Sequence, residues 1–368
     1  MLVAAGGTGG HLQPALAVAA EARARGARVA VVTTPSQVAR VARDYEVHAL
    51  DLRGFERRLA LRPHLRTLAL LARAVPRVER LLRRARPDVT VGGGGFAAGP
   101  VVALAALHGV PGVALEADAH LGVANRLLRP FVRRVCLSFP IPGLEPPKFV
   151  VTGRPLTAAQ VTATAEEGRR EFGLSPGLPV VLVFGGSQGA QSLNRACIEA
   201  FGGRDPGFQL VHVCGPANFA AVRADLAARG ERFERYHLLP YTDRLAAAMA
   251  AADLVVARAG GSVAELAALG KPAVLVPYPH ATADHQRKNA RWMEAAGAAV
   301  VVDDADLDGA RLATLVGELR GDRPRLAAMA AASRRLGRPD ATQRVVDEVE
   351  RVLLEGAGRG RARREATR

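Results

Sequence analysis

Three turns in this chain have the residues to hold an anion. Gly6-Gly7-Thr8-Gly9-Gly10-His11 follows the apolar run Leu2–Ala5. Gly185-Gly186-Ser187-Gln188-Gly189 follows the run Val180–Phe184, and Gly260-Gly261-Ser262 follows Leu254–Ala257. Glycine lets main-chain N–H groups approach a ligand with no Cβ in the way. A helix starting just beyond the turn adds unpaired N–H donors and a partial positive charge. The chemistry on offer is phosphate binding; the alternative is a tight strand-to-helix turn with no ligand.

A dinucleotide fingerprint, G-x-G-x-x-G, fails, because Leu12 stands where its last glycine belongs when the count starts at Gly7. Thr33-Thr34-Pro35 occupies the place of the acid that would hold a ribose, and neither of the first two turns has the Gly-Lys-Ser/Thr of a P-loop. Two glycine turns facing one cleft favour a diphosphate. Ser262 is placed to cap a helix and to donate to a phosphate. Glu265, in that helix's first turn, either answers the macrodipole or accepts both hydroxyls of a ribose. Asp284, His285, Gln286 and Asn289 stand at a helix entrance after a proline-rich loop and suit sugar hydroxyls, although Asp284 could equally be only an N-cap.

The elements that must position these residues alternate. Short β-branched runs at Leu2–Ala5, Arg28–Thr33, Val89–Val91, Gly112–Leu115, Val180–Phe184, Gln209–Val213, Leu254–Ala257 and Ala273–Val276 are separated by alanine-rich stretches of helical periodicity. Alternating strand and helix implies α/β architecture with parallel sheets. Each half opens with strand, glycine turn and helix, and Pro and Gly break the pattern near Val150–Pro155. Two doubly wound sheets would then turn the carboxyl ends of their strands toward a central cleft, where such sheets bind ligands. The 368 residues suffice for two domains.

Hydrophobic residues make up 49% and charged residues 23%, which is globular composition. Cys136, Cys197 and Cys214 form neither a CxxC pair nor a metal spacing, which fits a reducing compartment. No secretory h-region follows Met1, and no apolar run approaches the ~20 residues that span a bilayer, so a cytoplasmic location is expected. The formal net charge is +15, nearly all of it arginine, since Lys148, Lys271 and Lys288 are the only lysines. Such a surface favours anionic partners. Nucleic acid is not expected among them, because no recognition motif is present and only four tyrosines and one tryptophan are available for stacking.

The motifs "GGTGGH", "GGFAAGP" (Gly94–Pro100), "GGSQGA", "ARAGGSVAE" and "HQRKNA" occur in this order over nearly the whole chain. In this the sequence closely resembles the MurG family. That resemblance implies the GT-B fold, with two Rossmann-like doubly wound parallel-sheet domains facing a central cleft. It also implies transfer of N-acetylglucosamine from UDP-N-acetylglucosamine to undecaprenyl-linked lipid I, giving lipid II for peptidoglycan. The domains expected are 1–152 for the acceptor and membrane, with a helix at about 338–355 packing back on it, and 153–337 for the UDP-sugar. A basic disordered tail is expected at 356–368. No cofactor and no metal are expected; "DADLDG", Asp304–Gly309, opens like an EF-hand, but Leu315 stands where the glutamate should.

By resemblance, Thr8, Gly9, Gly10 and His11 contact donor or acceptor, and Ser187, with Gln188 beside it, contacts the UDP-sugar. Thr242 lies beside the uracil. Gly261, Ser262 and Glu265 match the diphosphate and ribose segment, and Gln286, with His285 beside it, matches a contact to the donor sugar. Three departures stand out. Leu115-Glu116-Ala117-Asp118 replaces a usual His-Glu-Gln-Asn, so Asp118 accepts but cannot donate as asparagine would. A family arginine falls on Thr157, while Arg154 takes an asparagine position and is a candidate for the diphosphate. The third turn is one residue short, which leaves Gly261 and Ser262 open to an offset of one.

The family inverts the anomeric centre, which requires a base. His11 is the candidate, because a helix N-terminus disfavours an imidazolium and keeps the ring able to accept a proton; alternatively it only positions the acceptor. Glu116 is the second candidate base. The stretch 57–86 carries ten arginines against one acid, Glu79, with Leu65, Leu68, Leu71, Val75, Val78, Leu81 and Leu82 at helical spacing. It either lies on the anionic inner leaflet, making the protein peripheral on the cytoplasmic face of the membrane, or packs its apolar stripe on the first sheet. Competing readings are another GT-B activity, such as a lipid glycosyltransferase or a UDP-sugar epimerase, and a non-catalytic two-domain anion-binding protein.

Overall fold

The computed structural model describes residues 1–6, 9–50, 74–95, 98–230 and 235–365. The chain forms two compact units, Met1–Thr157 with Asp340–Arg368, and Ala158–Pro339. The first unit holds β1 (Leu2–Ala4), β2 (Ala30–Thr33), β3 (Glu46–Ala49), β4 (Thr90–Gly92), β5 (Gly112–Glu116), β6 (Arg134–Leu137) and β7 (Phe149–Val151), in the order β3-β2-β1-β4-β5-β6-β7. All pairs are parallel; Val3 sits between Val31 and Val91.

Side chains alternate across this sheet with period two. Val3, Val31, Val91 and Val113 face a core that includes Leu12, Ala15 and Val18 of the helix Gly9–Ala24 and Val345, Val346, Val349 and Val352 of the last helix. Leu2, Ala4 and Val32 face the opposite core, built from the helix 74–85 and the helix Ala98–Leu107. A parallel sheet needs both faces covered. That requirement explains where Val78, Leu81 and Leu82 go: they are buried on the sheet, so this part of the apolar stripe is core and not a membrane face. Arg77, Arg80, Arg83, Arg84 and Arg86 point outward with the exposed Val75. The rest of the stripe, Leu65 to Leu71, lies outside the described residues.

The last helix, Ala341–Glu365, extends into the stretch expected to be disordered. Alanine, arginine and glutamate outnumber the glycines there, and no proline interrupts. Its acidic side chains meet arginines of the first unit. Arg25 reaches Asp347 at 2.7 Å and Glu350 at 3.2 Å, and Arg134 reaches Glu348 at 3.4 Å and also Glu355.

The second unit holds β8 (Val180–Phe184), β9 (Gln209–Val213), β10 (Tyr236–Leu239), β11 (Leu254–Ala257), β12 (Ala273–Leu275) and β13 (Ala299–Val301), in the order β10-β9-β8-β11-β12-β13, again all parallel. Strand order reverses between β1 and β4 and between β8 and β11. The loops leaving those four strands are where open α/β sheets bind ligands.

Candidate active site

In the first unit, β1 runs into the first glycine turn, and the helix Gly9–Ala24 begins with Gly9, Gly10 and His11. Gly7 and Thr8 lie outside the described residues. The loop after β4 packs directly onto this turn. A Cβ on Gly94, whose φ is +92°, would stand 2.7 Å from His11 Nδ1, and one on Gly95 would stand 2.2 Å from the Gly6 carbonyl oxygen. The glycine run Gly92–Gly95 therefore lets a second loop lie flat against the histidine.

Pro14 sits inside this helix and has no N–H for the carbonyl four residues earlier, that of Gly10. Arg154 supplies the donor instead. Its Nη2 is 2.6 Å from Gly10 O, and its Nη1 is 3.1 Å from Ala117 O. Arg154 is 7% exposed.

Glu116 ends β5 and is 4% exposed. Burial pushes its carboxyl above the usual range, against the pull of three donors. Gly122 N–H and Asn125 Nδ2 give to Oε2 at 2.8 and 2.9 Å, and Asp118 N–H gives to Oε1 at 3.3 Å. These bonds fold residues 117–122 around the carboxylate and hold the start of the helix Val123–Leu128. Asp118 lies half-buried on that loop, and Thr157 lies half-buried where the unit's first segment ends.

In the second unit, β8 leads through Gly185–Gly189 to the helix Gln191–Phe201, whose N-cap, Ala190, offers no side-chain bond. Ser187 and Gln188 are exposed at the tip. Gly189, with φ +74°, lies so close to the next loop that a Cβ would stand 2.0 Å from Cys214 O. A buried polar chain fixes that carbonyl. Asn194 Nδ2 donates to Cys214 O at 2.9 Å, so Asn194 Oδ1 faces His212 Nε2 at 3.0 Å. Since Oδ1 only accepts, Nε2 carries the proton, and His212 Nδ1 accepts from the Tyr236 hydroxyl at 2.8 Å. Burial lowers the pKa of His212 to about 3.

The loop after β11 begins with Arg258, which sequence reasoning passed over. Its guanidinium donates to Val276 O, Pro277 O and Ser192 Oγ at 3.1, 3.2 and 2.8 Å, and pairs with Asp304 at 2.6 Å. Ser192 Oγ donates to the same Asp304 oxygen at 2.6 Å. The helix after β8 and the segments leaving β11, β12 and β13 are thus tied to one buried cation. Asp304, the first residue of the EF-hand-like stretch, is occupied by this pairing. Among the described residues no cluster of three His, Cys, Asp or Glu side chains is placed for a metal. The available signal was a charged residue directly after a fully apolar strand.

Gly260 and Gly261 follow, and the helix Ser262–Ala268 begins with Gly261 at its N-cap position, where no side chain caps it. Ser262 Oγ lies 3.4 Å from Arg258 O, and Glu265 is half-buried in the first turn. The helix His285–Ala295 brackets this turn. Asn289 Nδ2 donates to Ala259 O at 3.2 Å. Gln286 Oε1 accepts from Tyr278 N–H at 2.9 Å, which points its Nε2 toward Gly260. His285 Nδ1 donates to Thr282 O at 2.9 Å. Asp284 occupies the N-cap position but makes no capping bond; it and Ala283 are both left-handed, at φ +54° and +52°, and Asp284 pairs with Arg287 at 3.3 Å. Thr242 lies on a separate loop after β10, where its Oγ1 accepts from Arg244 N–H at 3.0 Å.

The structure thus gathers Gly9, Gly10, His11, Glu116, Asp118 and Arg154 in the first unit. Ser187, Gln188, Gly261, Ser262, Glu265, His285 and Gln286 gather on the corresponding strand ends of the second. The two glycosyltransferase family 28 domain models match this division: the N-terminal domain covers residues 1–137 and the C-terminal domain residues 180–345. A curated relative from Halorhodospira halophila is 41% identical, covering 95% of this chain and 97% of its own, and one from Halothermothrix orenii is 39% identical over 94% and 96%. Both carry the name UDP-N-acetylglucosamine–N-acetylmuramyl-(pentapeptide) pyrophosphoryl-undecaprenol N-acetylglucosamine transferase.

The chain belongs to the MurG family.

The crystal structure of Acinetobacter baumannii MurG superposes with a TM-score of 0.76 at 28% identity, covering 95% of this chain and 99% of that one. The calicheamicin glycosyltransferase CalG4 matches at 0.68 and 21%, covering 96% and 98%, which shows the shared GT-B fold. The glycine turns, His11 and the helix Ser262–Ala268 follow the carboxyl ends of β1, β8 and β11, the ends at which open α/β sheets bind ligands.

Proposed function

We propose that this protein transfers N-acetylglucosamine from UDP-N-acetylglucosamine to the C4 hydroxyl of the muramoyl residue of lipid I, making lipid II. The carrying observation is near-full-length identity of 39–41% to relatives named for that transfer. The acceptor oxygen attacks the anomeric carbon, the bond to the β-phosphate oxygen breaks, and UDP leaves from the opposite face, so the α-linked donor gives a β-linked product. His11 takes the hydroxyl proton. Glu116 serves the same step from behind, because both its oxygens already hold the 117–122 loop. The first unit, with Asp118 and Thr157, receives the acceptor.

The second unit, Ala158–Pro339, receives the donor. Main-chain N–H groups at Gly185–Gly189 and at Gly261–Ser262 face the diphosphate as negative charge grows on it. Glu265 accepts from the ribose, Gln286 and His285 address the sugar, and Thr242 lies by the base. In a transfer assay with purified lipid I and labelled UDP-N-acetylglucosamine, His11→Ala is expected to lower kcat by about 10²–10⁴-fold. Near-normal turnover with unchanged acceptor affinity would remove His11 from the base role.

The acceptor's lipid requires a membrane surface, and we assign the anionic cytoplasmic leaflet. No described helix is long and apolar enough to cross a bilayer. The outward arginines of 74–86 support surface binding, as do Val123, Leu127 and Phe131, exposed beside Arg129 and Arg133. Each arginine near such a surface adds roughly 1 kcal/mol, weakened by salt. Flotation with phosphatidylglycerol vesicles should fall as salt rises; absence of binding at low salt would retire this assignment.

A further inference from the structure

We infer that Arg154 is a positioning residue: it replaces the N–H that Pro14 lacks and ties the His11 turn to the Glu116 loop. The inference rests on the transferase reading above and changes the role that resemblance offered for Arg154, from gripping diphosphate to setting the frame of the base.

The physical case begins with Pro14. An uninterrupted helix from Gly9 would satisfy the Gly10 carbonyl with the N–H of residue 14. Proline has none, and its ring crowds that carbonyl. The first turn therefore carries an open acceptor next to His11, at the place where helix ends fray. Arg154 closes it at 2.6 Å. A guanidinium is a planar fork with several donors, so the same group also holds Ala117 O at 3.1 Å. Ala117 follows Glu116, whose carboxylate organises the loop out to Gly122. One buried cation thus sets the spacing between two segments that both bear site residues. Asparagine, which the family resemblance places here, is shorter and has a single amide nitrogen. Thr157, on the position of the family arginine, carries no charge to take over.

The test is a cycle of wild type, Arg154→Gln, Pro14→Ala and the double variant, with Arg154→Lys beside it. Alanine at 14 restores an N–H for Gly10 O. The first readout is hydrogen exchange on the apo protein. Arg154→Gln should speed exchange about tenfold or more in the first turns of the Gly9–Ala24 helix and in residues 118–122. The double variant should recover the helix and leave the loop fast. The second readout is transfer. Arg154→Gln should lower kcat by about 10–100-fold with the KM for UDP-N-acetylglucosamine within about threefold, and Pro14→Ala should return part of the loss.

Lysine should fail much as glutamine does, because it lacks the planar fork whose two separate nitrogens reach Gly10 O and Ala117 O. The inference is overturned if the KM for the nucleotide sugar rises instead, if lysine restores activity, or if the two substitutions act independently in exchange. Should Arg154→Gln not accumulate as folded protein, recovery of a folded double variant supports the inference, and equal failure overturns it. A wild type inactive toward lipid I would sink the transferase reading alone, since the exchange cycle does not depend on turnover.

Discussion

His212 is fully buried, and that burial ties the stability of the second unit to pH. Its ring is buried between Asn194 and Tyr236, and burial lowers its pKa from 6.5 to about 3. In the unfolded chain the ring returns to about 6.5. Between those two values the unfolded state binds a proton that the folded state refuses. Stability from this group is therefore full above pH about 6.5 and is lost as pH falls, at up to about 1.4 kcal/mol per pH unit. His212→Gln keeps a donor toward Asn194 and cannot titrate. Urea unfolding followed at Trp292, the single tryptophan and a residue of the second unit, should show lower stability at pH 7.5 and a shallower acid slope between pH 4 and 6. An unchanged slope would mean that His212 is not buried neutral.

At the level of the element, the site is a set of loops held by close approach. Gly189 is the tightest case, with positive φ and Cys214 O where a Cβ would go. Gly189→Ala should destabilise the second unit by more than about 1 kcal/mol. It should also raise the KM for UDP-N-acetylglucosamine about tenfold or more, because a 1 Å displacement of such a loop is felt at the ligand; initial-rate kinetics and a thermal melt check both. Ala283 is the opposite case. It is left-handed, a conformation in which an L-residue loses about 1–2 kcal/mol. Ala283→Gly should therefore raise stability by about 0.5–1 kcal/mol, after the extra unfolded-state entropy of glycine is offset, as a melt monitored at Trp292 would record.

Sequence periodicity exposed the strands that form the sheet centres, β1, β2, β4, β5, β8, β9, β11 and β12, because buried parallel strands read as apolar β-branched runs. It missed β3, β7, β10 and β13, which are edge strands, of which β3 and β10 also carry polar or aromatic residues, and it missed β6, which opens on Arg134 and holds Cys136. The glycine turns were legible from composition alone; a positive φ demands glycine at Gly186 and Gly189, whereas Gly261 keeps ordinary helical angles. Arg258 showed only as a charge directly after an apolar strand; its partners, the Asn194 contacts and the pairing of Arg154 with the carbonyl that Pro14 leaves open were not legible. Each depends on a partner brought in from a distant loop, and no local pattern announces such a pairing.

For the whole molecule, the decisive feature is that the chain returns to its first unit at the end. Val345, Val346, Val349 and Val352 complete the core that contains Val3, Leu12 and Val31. Thr342 Oγ1 locks the helix start to Leu156, accepting its N–H at 3.0 Å and donating to its carbonyl at 2.6 Å. Burying one such valine contributes about 1.5–3 kcal/mol, so the four contribute roughly 6–12 kcal/mol. That is comparable to the roughly 5–15 kcal/mol by which a whole domain is stable. A chain ending at Pro339 should therefore lose the first unit while the second keeps its Trp292 signal and its affinity for UDP. A chain ending at Glu355 keeps all four valines, the Arg25 ion pairs with Asp347 and Glu350, and the Arg134 pairs with Glu348 and Glu355; it should stay folded and active. Limited proteolysis of the two truncated proteins, with calorimetric UDP titration, separates these outcomes. If the shorter chain resists proteolysis in residues 1–157, the first unit does not need its returning helix.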